Sequence, residues 1–181
     1  MKMQVNSIKS QVHKKLQSLE RKVSLKNNLP LSVIQYDAQD IVNCLNTLTR
    51  GWPTIGEEVL KVEKKIQKYL KVKNAIMLNS GGSANFLILY LLTSIYAKKK
   101  DKLNKNDEVL TPAVTWSTTV SPIIQNGLIP VLVDVNLSTY DINANLIEKA
   151  ITKKTKAIMI VHPLGHVCDM TKFCDYAKNI I

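Results

Sequence analysis

Apolar residues recur at helical spacing through the first third of the chain, with lysines between them. In residues 1–35 they predict one amphipathic helix that docks on another surface: Val5, Ile8, Val12, Leu16, Leu19 and Val23. The Asn-Asn-Leu-Pro run at 27–30 predicts the end of this helix, so residues 1–35 form an N-terminal extension. A second helix is predicted over 37–48 with Asp37 as its N-cap, and a third over 57–70.

From residue 74 onward, short apolar runs alternate with helical stretches. The runs predict four strands, at 75–78, 108–111, 129–133 and 156–161. The stretches between and after them predict four helices, at 83–97, 115–126, 144–151 and 169–179. This alternation, with continuously apolar strands, indicates an α/β fold in which a mostly parallel sheet carries helices on both faces. The last helix ends where another strand should begin, so we expect residues 36–181 to form an incomplete large domain.

Length and composition are those of a globular protein. The chain has 181 residues, the size of one domain or of a piece of a larger one, and 45% of them are hydrophobic. No apolar run reaches the roughly 18 residues of a membrane span, and no secretory signal is visible, so a cytoplasmic location is expected. The three cysteines, Cys44, Cys168 and Cys174, are too few and too scattered for a disulfide framework.

The charge raises the question of nucleic-acid binding, because the formal net charge is +11 and the isoelectric point is about 9.6. The lysines are scattered along the chain, and Arg21 and Arg50 are the only arginines. Arginine is the usual reader of base edges and phosphates, and no recognition-helix or zinc-finger pattern accompanies the charge. Nucleic acid is therefore an unlikely partner, and solvated lysine faces with some attraction for anionic substrates are favoured.

The motif Asn-Ser-Gly-Gly-Ser-Ala-Asn at 79–85 joins an apolar run to a predicted helix. Gly81 and Gly82 lack Cβ atoms, so backbone N–H groups at the helix start can approach an anion, and Ser80 and Ser83 add hydroxyls. The alternative is a glycine turn in which Ser83 caps the helix. The motif alone leaves both interpretations open. The Walker lysine and the full Rossmann glycine spacing are missing, which disfavours ATP and dinucleotides.

Two further segments follow predicted strands, where open α/β folds bind ligands. Trp116 comes shortly after the strand at 108–111 and could stack on a flat ring, or lie buried under a loop. His162 directly follows the strand at 156–161 and is a candidate for a polar contact with substrate, or a structural histidine. With His166, Cys168 and Cys174 it also offers zinc-type ligands, but their spacing matches no standard site, so no metal is predicted.

Three blocks of the sequence occur in a specific order. The first runs from RGWPTIGEE to YLLTS, the second is DEVLTPAVTWSTTVSPIIQNGLIPVLVDVNLSTYDIN, and the third is TKAIMIVHPLGHVCDM. In this order they resemble the N-terminal part of the DegT/DnrJ/EryC1/StrS family, sugar aminotransferases and related dehydrases that depend on pyridoxal 5′-phosphate (PLP). The resemblance covers about residues 36–181. It implies a fold-type-I large domain and a dimer with its active site between subunits.

The family also implies roles for particular residues. By position, Gly81, Gly82 and Ser83 would form the cup for the phosphate of PLP, with Gly82 in place of the usual Ser or Thr and one hydroxyl donor fewer. Trp116 would stack on the pyridine ring of the cofactor.

The substrate of the family is a nucleotide-linked keto-sugar in cell-surface or lipopolysaccharide sugar synthesis. Thr54 and Gly56 match a loop near the active site, and with His162 they are the candidate substrate contacts. The run from IIQNG to TYDIN is closer to the 3-dehydrase branch, typified by CDP-4-keto-6-deoxyglucose 3-dehydrase, than to the aminotransferases.

The family's remaining catalytic residues lie beyond position 181. These are the acidic partner of the pyridine nitrogen and the Schiff-base lysine, which is a histidine in some dehydrases. We therefore assign no catalytic residue, leave enzymatic activity undecided, and expect the isolated chain to be inactive. The alternative hypothesis is a truncated relic that acts only as a binding or subunit-pairing module.

Overall fold

The computed structural model describes residues 2–20, 36–52 and 54–180. They belong to two compact units, Met1–Met77 and Leu78–Ile181. The predicted helix end at 27–30 and the proposed domain boundary after residue 35 lie outside the described residues, so that boundary stays a prediction. None of the helices in the described ranges combines the length and the hydropathy of a membrane-spanning segment.

The described residues of the first unit form three helices: α1 (Lys2–Glu20), α2 (Ala38–Thr49) and α3 (Glu57–Leu70). Asp37 caps α2 as predicted. Its carboxylate accepts bonds from the amides of Gln39 and Asp40 at 2.7 and 3.0 Å, and the Asp40 carboxylate accepts one from the Asp37 amide at 2.9 Å. This reciprocal capping box satisfies N–H groups that the helix itself cannot pair.

The prediction of a strand at 75–78 is wrong. This segment has no regular secondary structure, and the side chain of Ile76 is 73% exposed. The amide of Met77 donates to the carboxylate of Glu63 at 2.9 Å. A short apolar run becomes a strand only by pairing with a neighbour, and the sheet in the described part of the chain is built from other segments.

The second unit is built on three parallel strands, β1 (Glu108–Pro112), β2 (Ile129–Val133) and β3 (Thr155–Ile158). Their order is β2-β1-β3, with Leu110 at the centre opposite Val131 and Ile158. β1 and β2 lie where the sequence predicts them. β3 ends three residues before the predicted limit of 161, although the Met159 amide still donates to the Leu110 carbonyl of β1 at 2.8 Å.

Helices cover both faces of this sheet, as predicted. They are α4 (Gly81–Thr93), α5 (Ser117–Gln125), α6 (Ala144–Ala150) and α7 (Met170–Ile180). Successive residues of a strand point to opposite faces, so Val109 and Leu110 belong to different cores. Val109 packs with residues of α4, α5 and neighbouring loops: Leu89, Leu103, Ile123 and Leu128. Leu110 packs with β2, α6, α7 and nearby residues: Val133, Ile142, Ile147, Cys168 and Phe173.

Candidate functional site

The second unit has an open cavity of about 440 Å³ at the carboxyl end of its sheet. The chain reaches β2 on one side of β1 and then returns to place β3 on the other side. A crevice between such strands is the usual ligand site of an open α/β sheet. The cavity is lined by the first turns of α4 and α5, by Trp116, and by the segment 159–161 after β3.

Helix α4 begins at Gly81, two residues earlier than predicted. Its cap is Ser80, whose hydroxyl accepts a bond from the Ser83 amide at 3.2 Å and lies 3.1 Å from the Ser83 hydroxyl. The alternative interpretation with Ser83 as the cap is therefore wrong. Gly81 and Gly82 occupy the first turn, where amides have no intrahelical acceptor, and both glycines line the cavity.

The two glycines differ in their surroundings. A Cβ atom at Gly82 would lie 3.3 Å from Cγ2 of Thr118 at the start of α5, whereas one at Gly81 would meet nothing within 4 Å. Glycine at position 82 thus permits the close approach of α4 to α5. The first turns of two helices border one cavity, and both add positive potential to it. This donor set fits an anionic group such as a phosphate.

Trp116 precedes α5 directly and adopts an extended backbone conformation as its N-cap residue. The Trp116 carbonyl accepts a bond from the Thr119 amide at 2.9 Å, which ties the residue to the helix start. Its side chain lines the cavity and is 67% exposed. The buried alternative for this tryptophan is excluded, and its aromatic surface is available to a flat ligand ring.

Ser83 does not line this cavity. With Ser80 and Phe86 it lines a second, neighbouring open depression of about 650 Å³, and Gly82 borders both. Its amide and hydroxyl face Ser80, as described. The structure therefore brings together Gly81, Gly82 and Trp116, but it does not place Ser83 on the same cavity.

His162 follows the segment that lines the cavity but is not itself a lining residue. Its Nδ1 atom accepts a bond from the Cys168 amide at 3.3 Å, which holds the loop after β3. The Cys168 thiol donates to the Val161 carbonyl at 3.2 Å, and burial raises the pKa of this thiol. Within the described ranges no three residues of metal-ligand type come together.

Thr54 and Gly56 lie in the first unit and line a different cavity, of about 570 Å³. Arg50 and Glu58 face each other there at 3.1 Å. Their ion pair is exposed, and hydrogen bonds from Lys61 and then from Arg50 lower the pKa of Glu58. Gly56 is the N-cap of α3. Most of the cavity surface is apolar, and its charged side chains are Arg50, Glu57 and Glu58. A role of Thr54 and Gly56 in binding substrate stays a prediction.

Asn85 and Thr118 are among the cavity residues that the sequence analysis missed. The Asn85 side-chain amide donates to the Thr118 carbonyl at 3.1 Å and so links α4 to α5. A signal for this link was present. Asn85 stands one helical turn after Gly81, and Pro122, which has no N–H, stands one turn after Thr118.

Comparison with known proteins gives consistent results. The model of the DegT/DnrJ/EryC1/StrS aminotransferase family matches residues 35–180. The chain is 47% identical over 122 residues to the lipopolysaccharide biosynthesis protein RfbH of Salmonella typhimurium, covering 67% of this chain and 28% of that protein. It is 36% identical over 142 residues to the GDP-4-keto-6-deoxy-D-mannose 3-dehydratase of Yersinia pseudotuberculosis, covering 78% and 35% respectively.

A solved structure extends the likeness to the fold. The GDP-4-keto-6-deoxy-D-mannose-3-dehydratase of E. coli with bound hydrated PLP superposes with a TM-score of 0.74 and 34% identity. The match covers 82% of this chain and 37% of that one. The fold-type-I assignment is thereby confirmed. The chain spans about a third of the length of the relatives it matches.

Proposed function

The chain belongs to the DegT/DnrJ/EryC1/StrS aminotransferase family, and from this premise we propose that its cavity at the β1–β3 edge holds PLP. The proposed reaction is an amino transfer or a 3-dehydration on a nucleotide-linked keto-sugar, as the names of the relatives describe for those enzymes. The observation that carries the proposal is geometric. The first turns of two helices and an exposed tryptophan ring border the same cavity at the carboxyl end of the sheet.

Each cavity residue has a separate task in this proposal. The amides of Gly81 and Gly82 would hold the phosphate, because first-turn amides are free donors and the helix end is positive. The indole of Trp116 would hold the pyridine ring by stacking. When bound, PLP supplies an electron sink for the sugar carbon that reacts. The chain's own residues bind and orient, and we assign no proton transfer to any of them.

The proposed substrate contacts come from Thr54, Gly56 and His162. Thr54 and Gly56 line the cavity of the first unit, where Arg50 would meet a diphosphate only by leaving its ion pair with Glu58. His162 follows the segment 159–161 that lines the cavity of the second unit, but it is not itself a lining residue. We propose Thr54 and Gly56 as nucleotide-sugar contacts and keep His162 as a candidate that acts on substrate only if its ring leaves the Cys168 amide.

A fluorescence titration tests cofactor binding. The chain has two tryptophans, so a Trp52→Phe variant leaves Trp116 as the only reporter. The ligand should be pyridoxamine 5′-phosphate, because the aldehyde of PLP reacts with surface lysines. We expect saturable quenching by this ligand, competition by inorganic phosphate, and little response to pyridoxamine without phosphate.

The reciprocal variant provides the matched control. Trp116→Phe keeps Trp52 as the reporter in the other unit, and its fluorescence should not respond. Equal quenching in both variants, or an equal response to pyridoxamine, would contradict the proposed cup. Binding without turnover of an amino donor would favour the binding-module alternative over an active enzyme.

Homodimerisation belongs to the same proposal. Its support is exposed apolar surface in the second unit, where Ile88, Leu91 and Ile95 of α4 and the following turn are each about half exposed or more. Patches of this kind mark association sites. Analytical ultracentrifugation should give twice the monomer mass of 20.3 kDa.

We also propose the cytoplasm as the location, which the free thiols of Cys44 and Cys174 support.

A further inference from the structure

The second helix of the cavity contains a proline, and this leaves one backbone carbonyl without its helical donor. Pro122 lies inside α5 and has no N–H. The group that loses its donor is the carbonyl four residues earlier, that of Thr118. Thr118 is an exposed residue, so the partner of its free carbonyl is either water or a donor from another part of the chain.

The partner comes from the other helix. The side-chain amide of Asn85, in the second turn of α4, donates to the Thr118 carbonyl at 3.1 Å. A side chain of one helix therefore replaces the missing backbone donor of the other. On the same side of α5, the Thr118 methyl lies 3.3 Å from where a Cβ atom of Gly82 would be. The bond and the close packing together bring the first turns of α4 and α5 side by side.

We propose that Asn85 is a positioning residue that keeps the amides of Gly81 and Gly82 and the ring of Trp116 on one cavity. Asn85 acts through the Thr118 carbonyl, which Pro122 leaves free to accept this bond. Trp116 stands two residues before Thr118 and is tied to the same helix start, so fixing Thr118 fixes the tryptophan. The role in cofactor binding rests on the proposed function, whereas the link between the helices does not.

A double-mutant cycle tests the link without any ligand. Asn85→Ala removes the donor, and Pro122→Ala gives α5 its own N–H for the Thr118 carbonyl. With Pro122 present, Asn85→Ala should raise the unfolding equilibrium constant about fivefold in urea titrations. In the Pro122→Ala background, the same change should have little effect. The cycle cancels the better helix propensity of alanine at position 85, which would otherwise hide the loss.

The position of the tryptophan gives a second readout. In the Trp52→Phe background, Asn85→Ala should lower the fluorescence anisotropy of Trp116 and weaken the affinity for pyridoxamine 5′-phosphate about tenfold. Adding Pro122→Ala should restore stability but neither of these properties, because the helical bond returns while the link between helices does not. A merely structural role for Asn85 predicts that all three recover together.

Each outcome bears on the proposal separately. If the two substitutions are additive in stability and Trp116 anisotropy is unchanged, Asn85 does not position α5. If the Trp52→Phe chain fails to bind pyridoxamine 5′-phosphate but the cycle shows coupling, the link stands and the proposed function fails. Asn85→Asp serves as an isosteric second variant. It keeps the shape, removes the donor and should weaken phosphate binding at least as strongly as alanine does.

Discussion

The two units show that a helical pattern and a buried face are different properties. In the first unit, α3 begins and ends at the predicted residues, yet none of its side chains is buried. In the second unit, β1 has only five residues, yet Val109 and Leu110 are completely buried. Periodicity therefore predicts local conformation, while burial depends on what packs against the element.

The sharpest test of this difference compares two leucines. Leu110→Ala in β1 should lower the free energy of unfolding by about 2–5 kcal/mol, because it removes a fully buried side chain from a packed core. Leu60→Ala in α3, where the leucine is 51% exposed, should change it by no more than about 0.5 kcal/mol. Urea denaturation followed by circular dichroism measures both. Similar losses would mean that α3 is covered in solution.

The helix caps extend the comparison at a smaller scale. Asp37→Ala removes two bonds to amides at the start of α2, and Ser80→Ala removes one at the start of α4. Each should destabilise its helix by about 1 kcal/mol, with Asp37 the larger because its capping box is also broken. Amide hydrogen exchange resolved by segment should show faster exchange confined to residues 38–49 or 81–93 respectively. Exchange that spreads to both helices would show that the two units unfold together.

Single elements show how accurately the fold could be predicted from the sequence. The bounds of α3 and β2 were predicted to the residue, since caps and apolar runs are local signals. The strand at 75–78 was wrong because a strand depends on a partner that local sequence does not reveal. The start of α4 was misplaced because two glycines suggested a turn, although Ser80 supplies the cap.

The site was predicted only in part. Gly81, Gly82 and Trp116 could be singled out because each follows a strand or opens a helix, which is a local property. Asn85 and Thr118 lie 33 residues apart in sequence, and only the packing of α4 on α5 makes them partners. The helical spacing of Asn85 and the proline at position 122 mark the two groups separately, but no local pattern shows that they are partners.

The two glycines of the cavity form a third, weaker comparison. Gly81→Ala should raise the free energy of unfolding by up to about 0.5–1 kcal/mol, because the unfolded chain loses freedom and the new Cβ atom meets nothing. Gly82→Ala should show less gain or a loss, since its Cβ atom would press on Thr118 at 3.3 Å. Thermal melts of both variants with and without pyridoxamine 5′-phosphate measure the difference. A larger gain from Gly82→Ala would contradict the close packing of α4 on α5.

The smallest expected effect is a salt-dependent change in the pKa of a carboxylate. It distinguishes Glu58, whose hydrogen-bond donors are charged, from Asp141, whose donors are neutral. In the first unit, bonds from Lys61 and then Arg50 lower the pKa of Glu58 from its ordinary value of 4.5. In the second unit, the Thr139 hydroxyl and, more weakly, the Asn136 amide lower the pKa of Asp141 from 3.8, against burial, which raises it. Because both pKa values are lower in the folded state, both groups stabilise the fold above the ordinary pKa. That stability is lost as the pH falls through the folded pKa.

Salt distinguishes the two cases. The donors that lower the pKa of Glu58 are charged and exposed to solvent. Raising the salt to about 1 M should therefore move this pKa back toward 4.5. Neutral donors hold Asp141, whose pKa should respond little to salt. Carboxyl chemical shifts followed by NMR from about pH 2 to 6, at low and high salt, measure both values. Lys61→Met is the control for Glu58 and His166→Gln for Asp141, because His166 lies 4.0 Å from that carboxylate. A strong salt response of Asp141 that His166→Gln abolishes would mean that a charge, rather than the Thr139 hydroxyl, sets its pKa.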